Sequence, residues 1–348
     1  MQRIIARDVT SYPTKHEATG GEWRTLQCSR MRTLGTLITY EASNYSSMKR
    51  FLSHIDSLTR IMSPPGTSLS ATSRPSTPSR PARLNDYLVL SHPACTQKAC
   101  VVKPMSIQVE DGPDGSVPGI LHLPSTVSAT SASKTAAILL SGAGGGVVGP
   151  SAIYLSLADK LASLKQAVPA LRLDYRYPAR NKYCVRDVLA AMKQLEESYQ
   201  IERFVLVSWS FGGAPVFTIG GQDKRVVGCA TVASQTAETE GIRSLAPKPL
   251  LLLHGTGDRT LSPSCSERLY SMYGTEGDKE LKLFDRDDHA LTRNSLEAEQ
   301  LIGGFVLRCA GLDPRTDEDS LAEKLVGDEE KVELMEKGGD LRRNESVE

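Results

Sequence analysis

Six short apolar runs between residues 136 and 284 limit what this chain can fold into more than any other feature. They are Ala136–Leu140 (AAILL), Ala170–Leu173 (ALRL), Phe204–Val207 (FVLV), Val226–Val232 (VVGCATV), Leu250–Leu253 (LLLL) and Leu281–Phe284 (LKLF). Runs that are apolar throughout, rather than at alternate positions, suit strands covered on both faces. Longer segments of helical periodicity separate them. The clearest is Asn181 to Tyr199, where Val185, Val188, Leu189, Met192 and Leu195 form one stripe. This alternation predicts an α/β fold with a doubly wound, mostly parallel sheet and a site at the carboxyl ends of the strands. Val101–Glu110 and Val117–Leu123 read as two earlier strands joined by the turn-rich Asp111-Gly112-Pro113-Asp114-Gly115, which gives the sheet an antiparallel start.

The flanks read differently. The 348 residues carry 41 Lys plus Arg and 41 Asp plus Glu, so no overall field favours nucleic acid or an anionic membrane, and neither is expected as a partner. Basic residues dominate before about residue 83 and acidic ones after about residue 311. Residues 1–95 read as a largely disordered basic region, because the Ser/Pro/Arg run Ser63–Arg83 has almost nothing to bury. One helix is expected there, Ser46 to Met62, with Met48, Phe51, Leu52, Ile55 and Leu58 at helical spacing. Residues 96–311 form the folded domain, and 312–348 an acidic tail, solvated or disordered, without chemistry. Seven scattered cysteines do not make a disulfide framework and point to a reduced, cytoplasmic location, with a mitochondrial transit peptide as the alternative. No stretch reaches the roughly 20 apolar residues of a membrane span. Cys95-x4-Cys100 beside His92 lacks a second ligand pair at matching spacing, so neither metal nor cofactor is expected.

The strongest chemical signal is Phe204-Val-Leu-Val-Ser208-Trp209-Ser210-Phe211-Gly212-Gly213, an apolar strand running into a small-x-Ser-x-Gly turn and then a helix. Such an elbow needs small residues two before and two after its serine, and it lifts the hydroxyl above the sheet beside a helix N-terminus. Ser210 is therefore the candidate nucleophile. A serine needs a base, and the base an orienting acid. Leu250–Leu253 is followed by His254-Gly255-Thr256-Gly257-Asp258, and Leu281–Phe284 by Asp285-Arg286-Asp287-Asp288-His289. Asp258 and His289 thus sit in loops directly after buried strands and are the candidate acid and base. Asp285, Asp287 and Asp288 are alternative acids, and His254 is a rival base. One oxyanion donor should be the amide of Phe211. The other should come from the loop Ser141-Gly142-Ala143-Gly144-Gly145-Gly146, with Ala143 the expected donor and Gly142 shaping the turn.

These residues resemble the α/β-hydrolase superfamily, especially its small dienelactone-hydrolase-like and Tex30/KANL3-like members. The resemblance covers about Val101 to Gly311 and rests on Ser-Trp-Ser-Phe-Gly-Gly, His-Gly-Thr-Gly-Asp, Asp-Asp-His and Leu173-Asp174-Tyr175-Arg176. Ser141 stands where many members have histidine, and Ser208 where the elbow usually has glycine. The resemblance implies the α/β-hydrolase fold and a serine hydrolase acting on a small acyl substrate, a carboxylic ester or thioester, through an acyl-enzyme. Only Gln235 to Lys248 separates two of the runs, so no lid domain fits and the site should be open. Two rival readings remain. Some members of this fold are non-catalytic scaffolds. Gly144-Gly145-Gly146-Val147-Val148-Gly149 also matches the dinucleotide pattern G-x-G-x-x-G, with Asp174 as the ribose-binding acid.

Overall fold

The computed structural model describes residues 89–94, 99–110, 115–125 and 133–342. The segment Ser46–Met62, the Ser/Pro/Arg run, Cys95 and most of the turn at 111–115 lie outside the described residues.

Each apolar run is a strand. In chain order they are β1 Cys100–Gln108, β2 Ser116–Pro124, β3 Thr135–Leu140, β4 Ala170–Leu173, β5 Arg203–Trp209, β6 Val226–Val232, β7 Leu250–Gly255 and β8 Lys279–Phe284. They form one sheet in the order β1-β2-β4-β3-β5-β6-β7-β8. β2 runs antiparallel to β1 and β4, and every other pairing is parallel. Side-chain alternation explains the unbroken apolar runs. Ala137, Leu139, Val205, Val207, Leu251 and Leu253 enter one core, while Ala136, Ile138, Leu140, Phe204, Leu206, Leu250 and Leu252 enter the other. Both faces of each central strand are therefore removed from water.

Helices cover the two faces: α1 Ile153–Ser163, α2 Asn181–Tyr199, α3 Gly213–Gly220, α4 Ser264–Met272, α5 Ser295–Ala310, α6 Glu318–Ala322 and α7 Lys331–Gly338. The first core is closed by α1 and α5, and the second by α2, α3 and α4. On α2 the inward stripe is Cys184, Val188, Ala191, Met192 and Leu195. Between β6 and β7 lies only a short 3-10 turn, Glu240–Ser244, so no lid domain is inserted. Among the described residues no helix is long and apolar enough to cross a membrane.

The expectation of a solvated acidic tail is overturned. Leu321, Leu325, Val326 and Met335 are buried, and Leu321, Val326 and Met335 join the core beneath α1 and α5. Lys331 is buried and donates to the Thr292 carbonyl, and Asp340 is fully buried. Most of the larger apolar residues of this segment turn inward, with Val332 left exposed, so its average composition hides an amphipathic arrangement.

Candidate active site

β5 delivers Ser210 to a tight turn at the carboxyl edge of the sheet. Its backbone is left-handed (φ 52°), and a 3-10 turn, Ser210–Gly212, leads directly into α3. Such a conformation costs about 1–3 kcal/mol in a non-glycine residue and persists only where the surroundings enforce it. The neighbours do so here. A Cβ on Gly212 would lie 2.7 Å from the Ser141 carbonyl oxygen and 2.9 Å from Ser208 Cβ. Position 212 therefore needs glycine, and position 208 needs a small side chain. Ser208 meets that need, although its buried hydroxyl has no hydrogen-bond partner.

Asp258 and His289 arrive from the loops after β7 and β8. Asp258 Oδ2 lies 2.7 Å from His289 Nδ1. The same carboxylate oxygen lies 3.1 Å from His254 Nε2, and Oδ1 accepts from the amides of Thr260 and Leu261. Burial pushes the Asp258 carboxyl up. The hydrogen bonds from His254 and His289, the imidazole charge and the Leu261 amide outweigh burial and hold the group well below the usual carboxylate range. A carboxylate this firmly ionised accepts a proton-bearing Nδ1, which leaves Nε2 as the basic nitrogen of the neutral ring. His289 Nε2 is buried and makes no hydrogen bond, and none joins it to the Ser210 hydroxyl.

Trp209 links the two loops instead. Its Nε1 donates to the His289 carbonyl at 2.9 Å, and the two rings lie 5.3 Å apart. The residue preceding Ser210 thus fixes the backbone of the histidine. Sequence reasoning missed this role, although a fully buried indole must find an acceptor for its N–H.

The rival residues have other partners. Asp285 is exposed beside Arg286. Buried Asp287 accepts from the Arg293 and Asn294 amides, and Asp288 from those of Ala290 and Thr292, so both shape the histidine loop. His254 has both ring nitrogens engaged, Nδ1 with Ser266 Oγ at 2.7 Å and Nε2 with the Leu261 carbonyl at 2.9 Å. It braces Asp258 rather than offering a free base.

The glycine loop after β3 makes a tight turn in which the Gly145 amide donates to the Gly142 carbonyl at 3.0 Å, with half-buried Ala143 between them. Its outer wall is the chain's own C-terminal segment. Asp340 accepts from Ser141 Oγ at 2.5 Å, the Val148 amide at 3.0 Å and the Gly149 amide at 2.8 Å. A Cβ on Gly144 or Gly146 would come within 2.5 Å of Asp340 atoms. Asp174 accepts from the Gly146 amide at 2.8 Å and pairs with Arg342 at 2.9 Å. The glycines and the acid that match a dinucleotide pattern are therefore occupied by internal contacts, which removes the physical basis of that reading. Ser141, standing where the resemblance leads one to look for histidine, gives its hydroxyl to Asp340.

Burial pushes the Asp340 carboxyl up to about 7, against the pull of its three hydrogen bonds. An acid whose folded-state pKa exceeds its unfolded value stabilises the fold fully below the unfolded value, near pH 4, and loses that contribution as pH rises through about 7. Thermal unfolding should therefore show the wild type losing up to about 4 kcal/mol relative to Asp340→Asn across that interval. Asp340→Asn, which cannot ionise, should flatten the profile. An unchanged profile would contradict this assignment.

An eight-stranded sheet ordered β1-β2-β4-β3-β5-β6-β7-β8 with β2 alone reversed, helices on both faces and a sharp turn from β5 into α3 decides the architecture. The chain has the α/β-hydrolase fold. No protein-family model matches the sequence, and no curated protein matches it. Among solved structures, this α/β-hydrolase-fold chain is similar to the esterase domain of a Rhodothermus marinus protein, at 17% identity over 60% of this chain and 98% of that one, with a TM-score of 0.49. It is also similar to an alpha-beta serine hydrolase homologue from Coxiella burnetii, at 18% identity over 58% and 95%, TM-score 0.47. A third is a dienelactone hydrolase from Anabaena variabilis, at 15% identity over 58% and 96%, TM-score 0.48.

Proposed function

We propose that this chain is a serine hydrolase cleaving a carboxylic ester or thioester of a small acyl substrate through an acyl-enzyme. The observation that carries the reading is the 2.7 Å Asp258–His289 pair, with Nε2 left without a partner, on the edge that also carries the strained Ser210 turn. In this mechanism Ser210 Oγ attacks the acyl carbon as its proton passes to His289 Nε2. The oxyanion is held by the Phe211 and Ala143 amides, with Gly142 shaping the second donor's turn. Collapse breaks the bond to the alcohol or thiol, which leaves with the proton from Nε2. Water then repeats the sequence and releases the acid. Asp258 keeps the imidazole in the required tautomer and stabilises its cation. Ser210 and Nε2 come within hydrogen-bond reach when substrate binds, a tightening that free enzymes commonly require.

The test is labelling of the folded full chain by a fluorophosphonate, with the adduct located by peptide mass analysis. Reaction at Ser210 in the native protein, absent after heat denaturation, is the expected result. A folded chain that stays unlabelled would favour the non-catalytic scaffold. A panel of short- and medium-chain aryl esters then ranks acyl length. His254→Ala should lower kcat about 10- to 100-fold, because an unbraced Asp258 shifts the base by a fraction of an ångström to an ångström. Labelling of Ser210 should survive that substitution at a reduced rate.

A further inference from the structure

Away from the serine edge, four side chains from four separate segments meet in a buried cluster. His92 comes from the turn at 89–92, Cys100 from the start of β1, His122 from β2 and Asp159 from α1. His122 lies opposite Ala170, the first residue of β4, so the cluster sits towards the amino end of the parallel strands, whereas Ser210 follows the carboxyl end of β5. Asp159 Oδ1 is the focus. It lies 2.5 Å from His92 Nδ1 and 3.3 Å from Cys100 Sγ, and the three donor atoms all fall within 4.8 Å of one another. Metal bonds of about 2.0–2.3 Å place tetrahedral neighbours roughly 3.3–3.8 Å apart. The Cys100–Asp159 separation already fits. The His92–Asp159 pair must open by about an ångström on the same scale, and His92 sits on a turn with 12% of its side chain exposed.

His122 has a different part. Its Nε2 is 3.1 Å from Arg172 Nε, and a guanidinium can only donate. Nε2 therefore accepts, and the proton of the neutral ring resides on Nδ1, which faces Cys100 Sγ at 3.8 Å and Asp159 Oδ1 at 3.9 Å. That N–H supports a thiolate and a carboxylate from outside the coordination sphere, as outer partners of metal ligands do. Arg172 also donates to the Leu90 carbonyl at 2.5 Å and, more distantly, to that of Ser91, which docks the turn that presents His92.

We infer that His92 Nδ1, Cys100 Sγ and Asp159 Oδ1 form a binding site for a zinc-class divalent cation, with solvent at the fourth position. The thiolate–imidazole–carboxylate set matches a borderline-soft ion and disfavours magnesium or calcium, which take oxygen ligands. Binding forms one bond from each donor atom to the ion. The Cys100 thiol releases its proton to solvent, and His92 binds as the neutral ring with its proton on Nε2, so no oxidant or reductant takes part. The ion clasps the 89–92 turn to β1 and α1. This site owes nothing to the serine-hydrolase reading.

The experiment loads the full-length chain with zinc, measures bound metal by elemental analysis after dialysis, and repeats the titration with cobalt to read the thiolate-to-cobalt charge-transfer band. One equivalent per chain is expected, with a raised Tm. Cys100→Ser should abolish the charge-transfer band, and His92→Ala should weaken binding by at least about 100-fold, beyond what loss of an outer partner does. His289→Ala should bind like the wild type. Should Cys100→Ser fail to fold, His92→Ala on its surface turn still decides. A wild-type chain that retains no stoichiometric metal, or that shows no thiolate band, overturns the proposal. So does binding that both variants leave unchanged.

Discussion

Ser210→Ala is expected to lower the turnover of a reactive aryl ester about 10⁶-fold, and His289→Ala by a similar factor. The two groups act as one unit, so the double variant should lose little more than either single one. Asp258→Asn should cost about 10⁴-fold. An asparagine at 258 can point its amide at Nδ1, which forces the imidazole proton onto Nε2, where the base must be empty. It would also lose the negative charge that β7 and two loops are built to support, because the carboxylate accepts from His254, the Thr260 and Leu261 amides and His289. Steady-state kinetics with one ester across the four variants checks this ordering. Equal activity in Ser210→Ala and wild type would place any esterase chemistry elsewhere on the molecule.

Truncation after Gly311 should have the second large effect, on folding rather than on chemistry. Removing the segment exposes the inner core to water where Leu321, Val326 and Met335 now pack, and burial of each such side chain is worth about 1.5–3 kcal/mol. The deletion also removes the Asp340 carboxyl from Ser141 and from the Val148 and Gly149 amides, and Lys331 from the Thr292 carbonyl. The sum, roughly 5 kcal/mol or more, is comparable to the whole stability of an ordinary domain. The shortened chain should be insoluble or lack a cooperative unfolding transition. A truncated chain that melts within about 2 °C of the full-length protein, a shift worth only a few tenths of a kcal/mol to about 1 kcal/mol, would show that these contacts carry little weight.

The architecture was legible because its strands are covered on both faces, which removes the polar positions that normally blur a strand into a helix or loop. Helix α2 was readable for the opposite reason, its stripe contrasting with Lys182, Arg186, Asp187, Lys193, Glu196 and Glu197 off the stripe. Ser210, Asp258 and His289 stood out by position, each lying in a loop immediately after an apolar run. What escaped was everything carried by residues far apart in the chain. Asp340 looks like one acid among many, and only its burial against Ser141 distinguishes it. The Gly338-Gly339 pair ahead of it was a local sign that α7 ends in a left-handed cap. His254 and Trp209 carry hydrogen bonds whose partners lie in α4 and in the loop after β8, and no spacing rule announces them. The cluster around Asp159 was half visible, since His92 and Cys100 are neighbours in sequence, but its remaining members come from α1 and β2.

The contact between Asp340 and the glycine loop also bears on the order in which the molecule assembles. Ser141 and Asp340 are separated by 199 positions, and Val148 and Asp340 by 192. Contacts between residues so far apart in the chain close slowly. The central strands can therefore pair while the loop beside Ser210 still samples many shapes. A nascent chain emerging from the ribosome would carry Ser210, Asp258 and His289 before Asp340, the residue that pins that loop, has been synthesised.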